Sequence, residues 1–205
     1  MRLPVAAAVV LLVLVVAAPV AAAERVIVAL GDSLTAGLGV ARDEAYPALL
    51  EARLRRDGHD YRVVNAGVSG DTSAGARRRV DWVLRSKPEV VIVALGANDG
   101  LRGLPVEELR GNLEAIVRRL QAAGVRVLLA GMRVPPNYGD DYARAFTAVF
   151  PAVARRTGVP LAPFLLEGVA GQAGLNQADG VHPTAEGQRL IADTLWPHLQ
   201  RLLAR

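Results

Sequence analysis

Residues 90–95 read Val-Val-Ile-Val-Ala-Leu and lead directly into the polar stretch Gly96-Ala97-Asn98-Asp99. The unbroken apolar run, rich in β-branched residues, favours a strand that is buried on both faces, as in the middle of a parallel sheet. Residues 125–130, Val-Arg-Val-Leu-Leu-Ala, are almost as apolar. These two runs predict the centre of a parallel sheet.

Further short runs of this kind occur on both sides, separated by longer segments in which apolar residues have helical spacing. The predicted strands are residues 26–30, 61–66, 90–95, 125–130 and 159–162. The predicted helices are residues 46–56, 72–87, 106–123, 142–156 and 184–203. The alternation has no linker or repeat. It predicts the α/β class and one domain, with a single doubly wound, five-stranded parallel sheet and helices on both faces.

The first 23 residues have the composition of an export signal. Arg2 precedes an apolar run over residues 5–16, and Ala21-Ala22-Ala23 offers a cleavage site. We predict a signal peptide over residues 1–23, a mature domain over residues 24–205, and a periplasmic or secreted protein without a stable membrane anchor after processing. An uncleaved anchor is the alternative, because residues 3–23 are just long enough to cross a bilayer.

The composition excludes several kinds of chemistry. The chain contains no cysteine, so disulfides, thiolate nucleophiles and thiolate metal sites are ruled out. Lys87 is the only lysine and stands at a predicted helix end, which argues against Ser-Lys catalysis. No cluster of metal-ligating residues is evident, so no metal and no cofactor are expected. The net charge of +4 comes with an almost exclusive use of arginine, which we do not interpret as nucleic-acid binding.

Ser33 and His182 are the candidate nucleophile and base. Ser33 directly follows the first predicted strand, and His182 lies in the loop before the last helix, close to Asp179. A serine hydroxyl needs an adjacent base, and that base needs a partner that fixes its tautomer. His59 and His198 are expected at the solvated surface. Because ligand-binding groups gather at the carboxyl ends of parallel strands, Ser33 and His182 are expected to meet there.

An acyl-transfer enzyme also needs hydrogen-bond donors for the oxyanion. The turn of residues 67–70 can offer a backbone N–H, Asn98 can offer its side-chain amide, and Ser33 can add its own N–H. Structural roles remain open at this point, because Gly70 could merely form a turn and Asn98 could cap its own loop.

Two other interpretations of these residues are disfavoured. The α/β-hydrolases place the nucleophile in Gly-x-Ser-x-Gly, but Thr35 occupies the position of the second glycine. A phosphate-binding loop is also disfavoured, because the chain lacks Gly-Lys-Ser/Thr and residues 37–39 lack the third glycine of a dinucleotide fingerprint.

From Val26 to about Ile191 the chain resembles the SGNH, or GDSL, hydrolases. The blocks that carry the resemblance are Gly31-Asp32-Ser33-Leu34, Gly70-Asp71-Thr72, Gly96-Ala97-Asn98-Asp99 and Asp179-Gly180-Val181-His182-Pro183. Residues 95–103 and 133–138 resemble particularly the bacterial periplasmic branch of multifunctional acyl-CoA thioesterases, lysophospholipases and arylesterases. The resemblance implies a flavodoxin-like SGNH hydrolase domain.

The resemblance also implies residue roles. Ser33 is the nucleophile, His182 the base and Asp179 the residue that orients His182. Ser33, Gly70 and Asn98 form the oxyanion hole. Gly67 is the neighbouring candidate in the turn, and Gly70 is preferred because it directly precedes Asp-Thr, as in that branch.

Four residues beyond these blocks are candidates for binding an acyl chain. They are Leu101, Leu104, Pro135 and Tyr138. They follow the third and fourth predicted strands, so they are expected to border the edge that carries Ser33. Only 4% of the residues are aromatic, so side chains on which sugars could stack are scarce. We therefore predict that the enzyme prefers medium-chain acyl groups to acetyl. Alternatively, the two leucines pack beneath their loop.

We therefore predict an exported serine esterase or thioesterase that acts on small-molecule acyl esters through an acyl-enzyme intermediate, as a monomer. Aryl esters, acyl thioesters and lysophospholipids are the candidate substrates. Two alternatives stay open: a carbohydrate O-acetyl esterase of the same fold, and a catalytically silent α/β binding protein.

Two other features have simpler interpretations. The run Arg77-Arg78-Arg79 could attract anionic groups, but on a helix a solvated face is the expected explanation. Trp82 and Trp196 have helical spacing from other apolar residues and are expected in the core.

Overall fold

Five parallel strands form one sheet in the order β2-β1-β3-β4-β5. The strands are β1 (Arg25–Gly31), β2 (Tyr61–Gly67), β3 (Val90–Ala94), β4 (Arg126–Ala130) and β5 (Leu161–Ala162). The computed structural model that gives this topology describes residues 24–204. The predicted signal peptide, residues 1–23, therefore lies outside the described residues. Every residue of β3 is buried, which confirms the prediction of a central strand.

Seven α-helices connect and cover the strands. They are α1 (Ser33–Ala36), α2 (Tyr46–Arg56), α3 (Ser73–Leu84), α4 (Ala97–Leu101), α5 (Val106–Ala122), α6 (Asp140–Thr157) and α7 (Ala185–Leu203) among the described residues. α2 packs on α7, and α3 packs on α5, which packs on α6. These are the two helical layers of a doubly wound α/β fold, as predicted. No helix within residues 24–204 is both long and apolar enough to span a membrane.

The strand register aligns the ends of the three strands that precede the polar loops. Gly31, the last residue of β1, is paired with Gly67 of β2 on one side and with Ala94 of β3 on the other. The loops that follow these strands therefore start at the same level of the sheet. This alignment brings distant parts of the sequence to a single edge.

α1 and α4 were not predicted from the sequence. Helices of four and five residues are too short to show an apolar period, although they contain Ser33 and Asn98. The helix predicted over residues 72–87, which is α3 in the structure, also ends earlier than expected, at Leu84, three residues before Lys87.

The prediction for one of the two tryptophans is wrong. Trp196 is buried, whereas Trp82 is 54% exposed. On α3 the buried side chains include Ala76, Val80 and Val83. At about 100° per residue, position 82 is at least 100° around the helix from each of these side chains, so the indole points towards solvent.

Candidate active site

The Ser33 hydroxyl is presented by the turn between β1 and α1. Asp32, not Ser33, caps this short helix, because its Oδ1 accepts the N–H of Leu34 at 3.0 Å. Ser33 is the first helical residue and 8% exposed. Since Asp32 satisfies the cap, the Ser33 hydroxyl is left free for another partner.

That partner is His182. Its Nε2 lies 2.9 Å from the Oγ of Ser33, and its Nδ1 lies 2.6 Å from the Oδ2 of Asp179. A carboxylate only accepts hydrogen bonds, so in the neutral ring Nδ1 carries the proton and Nε2 accepts the proton of the Ser33 hydroxyl. The structure thus brings Ser33, His182 and Asp179 into one hydrogen-bonded chain, the arrangement of a serine hydrolase.

Asp179 is fixed from several directions at once. Its Oδ1 accepts the backbone N–H groups of Val181 at 2.9 Å and His182 at 3.0 Å. The hydrogen bond from the His182 ring, together with these two amides, holds the pKa of the Asp179 carboxyl well below its usual range. Asp179 is exposed and is ionised at neutral pH.

The loop that carries His182 is tied to the rest of the edge. Pro183 forms an isolated antiparallel bridge with Asn176. The side-chain amide of Gln177 donates to the carbonyl of Leu38, just beyond α1, at 2.7 Å and to that of Pro183 at 2.9 Å. One side chain thus connects the Ser33 segment with the His182 segment.

The turn after β2 distinguishes between the two glycine candidates. The N–H of Gly67 is already bonded to the Oδ1 of Asn65 at 2.9 Å. The N–H of Gly70 has no acceptor among residues 24–204, and the same holds for the N–H of Ser33. Gly70 has a φ of +79°, a conformation that glycine adopts without strain. Gly70 is thus the better candidate for an oxyanion donor.

Asn98 is oriented by the buried carboxylate of Asp32. The Nδ2 of Asn98 donates to the Oδ2 of Asp32 at 3.3 Å, which leaves the second amide proton for another acceptor. Burial raises the pKa of Asp32 to about 6, and the hydrogen bonds from Leu34 and Asn98 limit the rise. The residue before Ser33 therefore also positions an oxyanion candidate.

A second buried carboxylate joins the Asn98 segment to the start of α3. Asp99 accepts hydrogen bonds from the N–H of Ser73 at 2.8 Å and from its hydroxyl at 2.5 Å. Asn112 of α5 in turn donates to the Ser73 hydroxyl at 3.1 Å. Because Ser73 begins the helix that follows Gly70, Asp99 links the two loops that carry the oxyanion candidates.

The four predicted acyl-binding residues lie in two segments that contact each other. The hydroxyl of Tyr138 donates to the carbonyl of Leu101, and that of Tyr142 donates to the carbonyl of Leu104, both at 2.8 Å. Leu101 and Pro135 are exposed, and Leu104 and Tyr138 are half-buried. The leucines are thus not packed entirely beneath their loop.

Several residues of this edge were not predicted from the sequence. Asp32 precedes a serine at a strand end, which is a recognisable cap signal, but its bond to Asn98 is long-range in the sequence. Asp99 and Ser73 are likewise separated by 26 positions.

His59 and His198, expected at the solvated surface, are half-buried rather than fully exposed. Among residues 24–204 there is no group of three or more His, Cys, Asp or Glu side chains that could hold a metal ion.

Comparison with known proteins agrees with this geometry. The model of the GDSL-like Lipase/Acylhydrolase family matches residues 29–190. The chain belongs to this family. It is an enzyme that hydrolyses ester bonds, and the catalytically silent alternative is set aside.

Similar proteins support the assignment along most of the chain. Esterase TesA of Pseudomonas aeruginosa is 46% identical over 183 residues, which cover 89% of this chain and 91% of the relative. Thioesterase 1/protease 1/lysophospholipase L1 of Escherichia coli K12 is 40% identical over 184 residues, covering 89% and 87%. The crystal structure of the psychrotrophic esterase EstA from Pseudoalteromonas sp., inhibited by monoethylphosphonate, has a TM-score of 0.84 at 37% identity and covers 89% of this chain and 100% of that one.

Proposed function

We propose that this hydrolase cleaves acyl esters and thioesters by a serine mechanism in which Ser33 is the nucleophile. The observation that carries the proposal is the hydrogen-bonded chain from Ser33 Oγ through both nitrogens of His182 to Asp179, with distances of 2.9 and 2.6 Å. A hydrogen bond between the hydroxyl and the base allows His182 to accept the hydroxyl proton as the nucleophile attacks.

The reaction has two halves. The Ser33 Oγ attacks the acyl carbon while Nε2 of His182 takes its proton, and the ionised Asp179 stabilises the imidazolium. His182 then gives this proton to the departing alcohol or thiol, which leaves an acyl-serine ester. Water repeats the sequence on that ester, returning the proton to Ser33 and releasing the carboxylic acid.

Negative charge on the tetrahedral oxygen is stabilised by the backbone N–H groups of Ser33 and Gly70 and by the side-chain amide of Asn98. The two backbone donors have no other acceptor among residues 24–204, and Asn98 keeps one amide proton free. Donors that are held in place before the reaction pay no reorganisation cost when charge develops.

The acyl group is placed against Leu101, Leu104, Pro135 and Tyr138. Four exposed large apolar side chains of the described residues lie in the segments that follow β1, β2 and β3 or in the His182 loop: Leu38, Val68, Leu101 and Val181. Each methylene buried there contributes up to about 0.8 kcal/mol, which favours medium-chain acyl groups over acetyl. The similar proteins described above are esterases and a thioesterase/lysophospholipase, which does not favour the carbohydrate O-acetyl esterase.

We propose that the enzyme acts outside the cytoplasm and that it is a monomer. Export is supported by the signal-peptide composition of residues 1–23. The first strand, β1, begins directly afterwards, at Arg25. Mass analysis of the protein exported by a bacterium should find Glu24 or a near neighbour as its first residue. Membrane-bound material that still begins at Met1 would contradict the cleavage.

The experiment for the catalytic assignment measures hydrolysis of acyl esters and thioesters that share one leaving group within each series. Ser33→Ala and His182→Ala should lose nearly all turnover, and Asp179→Asn up to about 10⁴-fold. Ser86→Ala and His59→Ala are matched controls, because both precede strands and lie away from the carboxyl edge. A folded His182→Ala enzyme with wild-type turnover contradicts the mechanism. A kcat/KM that is highest for acetyl and falls with chain length contradicts the acyl assignment.

A further inference from the structure

Arg79 is the member of the arginine run that does not behave as a solvated residue. Arg77 and Arg78 are exposed, as predicted, but the Arg79 side chain is 20% exposed. Its guanidinium makes three hydrogen bonds within the protein, through Nε, Nη1 and Nη2. The interpretation of the whole run as a solvated face is therefore wrong at this position.

The three acceptors lie in three different segments. Nη2 donates to the carbonyl of Gly31 at 2.9 Å, Nη1 to the carbonyl of Ala66 at 2.8 Å, and Nε to the Oδ2 of Asp71 at 2.7 Å. Gly31 ends β1, two residues before Ser33. Ala66 is near the end of β2, and Asp71 directly follows Gly70. One side chain thus connects the nucleophile turn with the turn that carries Gly70.

These contacts require an arginine. The guanidinium is planar and offers donors in fixed, divergent directions, whereas a lysine ammonium cannot reach three separated acceptors in one plane. The Asp71 side chain is only 10% exposed, so the ion pair is partly desolvated. A desolvated pair adds little net stability but fixes geometry, which is consistent with a positioning role.

A second arginine holds the other side of the same turn. Nη2 of Arg102, at the end of α4, donates to the carbonyl of Gly70 at 2.8 Å. Arg102 thus holds the carbonyl of Gly70, while Arg79 holds the carbonyl of Ala66 before the turn and the side chain of Asp71 after it. The backbone N–H of Gly70 lies between these fixed points.

We propose that Arg79 is a positioning residue for the oxyanion hole, which holds the Ser33 and Gly70 amides at a fixed separation. The proposal rests on the proposed function of those two amides. Arg79 acts through them and does not itself touch the substrate.

The test compares Arg79→Ala with Arg78→Ala, its exposed neighbour on the same helix. A donor displaced by about 1 Å can cost up to about 10²-fold, so Arg79→Ala should lower kcat by up to that factor with KM unchanged. Millimolar guanidinium ion should restore part of the kcat of Arg79→Ala, while sodium chloride of equal ionic strength should not. Arg78→Ala should have the wild-type kcat and no response to guanidinium.

Turnover is expressed per active site titrated with a fluorophosphonate, so that a loss of folded protein is not counted as a loss of kcat. A kcat of Arg79→Ala equal to that of Arg78→Ala overturns the proposal, and so does an effect confined to KM. If Arg79→Ala does not fold, Asp71→Asn and Arg79→Lys, which each keep part of the network, should still show a lower kcat, and wild-type kcat in both overturns the proposal.

Failure of the catalytic assignment is distinguishable within the same series. If Ser33→Ala keeps its turnover, the proposed function itself fails. If Ser33→Ala is inactive while Arg79→Ala and Arg78→Ala turn over equally, only the positioning role of Arg79 fails.

Discussion

Asn98 shows how a single amide depends on a buried neighbour. Its Nδ2 is held by Asp32, and the second amide proton is available for the oxyanion. Asn98→Ala should lower kcat by roughly 10² to 10³ with little change in KM, because the contact strengthens only in the transition state. Steady-state kinetics on one medium-chain ester measures both constants. A change in KM alone would make Asn98 a substrate-binding residue.

Asp32 should impose a pH dependence on stability. Its pKa is raised from 3.8 to about 6 by burial, so between these values the native protein binds more protons than the unfolded chain. Stability therefore falls as the pH rises through this window. The rise in the pKa of Asp32 from 3.8 to about 6 corresponds to a loss of about 3 kcal/mol in the free energy of unfolding across this window.

Substitution of Asp32 isolates this contribution from that of the other acids. Urea unfolding at several pH values measures the free energy of unfolding of wild type and of Asp32→Asn. The difference between the two should change between pH 3.8 and about 6 and be constant above that range. Parallel profiles for the two proteins would contradict the burial of a titrating carboxyl at this position.

At the scale of elements, α1 and β2 approach each other so closely that a side chain does not fit between them. A Cβ on Gly67 would lie 2.2 Å from the backbone nitrogen of Ala36 and 2.8 Å from the carbonyl oxygen of Asp32. Gly67→Ala should therefore push α1 and its Ser33 away, lowering the free energy of unfolding by about 1 to 3 kcal/mol and lowering kcat.

Gly111 is the matched control for that substitution. It lies within α5, is exposed, and a Cβ there would meet nothing within 4 Å. Gly111→Ala should raise the free energy of unfolding by about 0.5 to 1 kcal/mol and leave kcat unchanged. Thermal or urea unfolding gives the free energy of unfolding of both variants, and kinetic assays give their kcat. Equal changes in Gly67→Ala and Gly111→Ala would contradict the close approach of α1 and β2.

The long elements were predictable because their apolar spacing is a property of the local sequence. α2 begins and ends at the predicted residues, and β3 differs by one residue at its end. α1 and α4 were not predictable in this way, because their short backbone turns depend on a cap and on contacts with distant segments.

At the scale of the whole molecule, the level strand ends explain why separated sequence blocks form one site. The sequence predicted which loops lie at this edge, and residue type and strand position made Ser33, His182 and Asn98 candidates there. The role of Asp179 was implied by the family resemblance. It did not predict the partners of Arg79 or Asp99, because those contacts depend on how α3 packs against the sheet and against α5.

The central claim concerns one hydroxyl among the four serines of the chain. The most direct test is a fluorophosphonate reaction on the protein of residues 24–205, followed by intact-mass and peptide analysis alongside residual turnover. We predict one adduct per chain, located on Ser33, formed in proportion to the loss of turnover and absent from Ser33→Ala. An adduct on another residue that tracks the loss of turnover, or an unlabelled protein that stays fully active, would contradict the account.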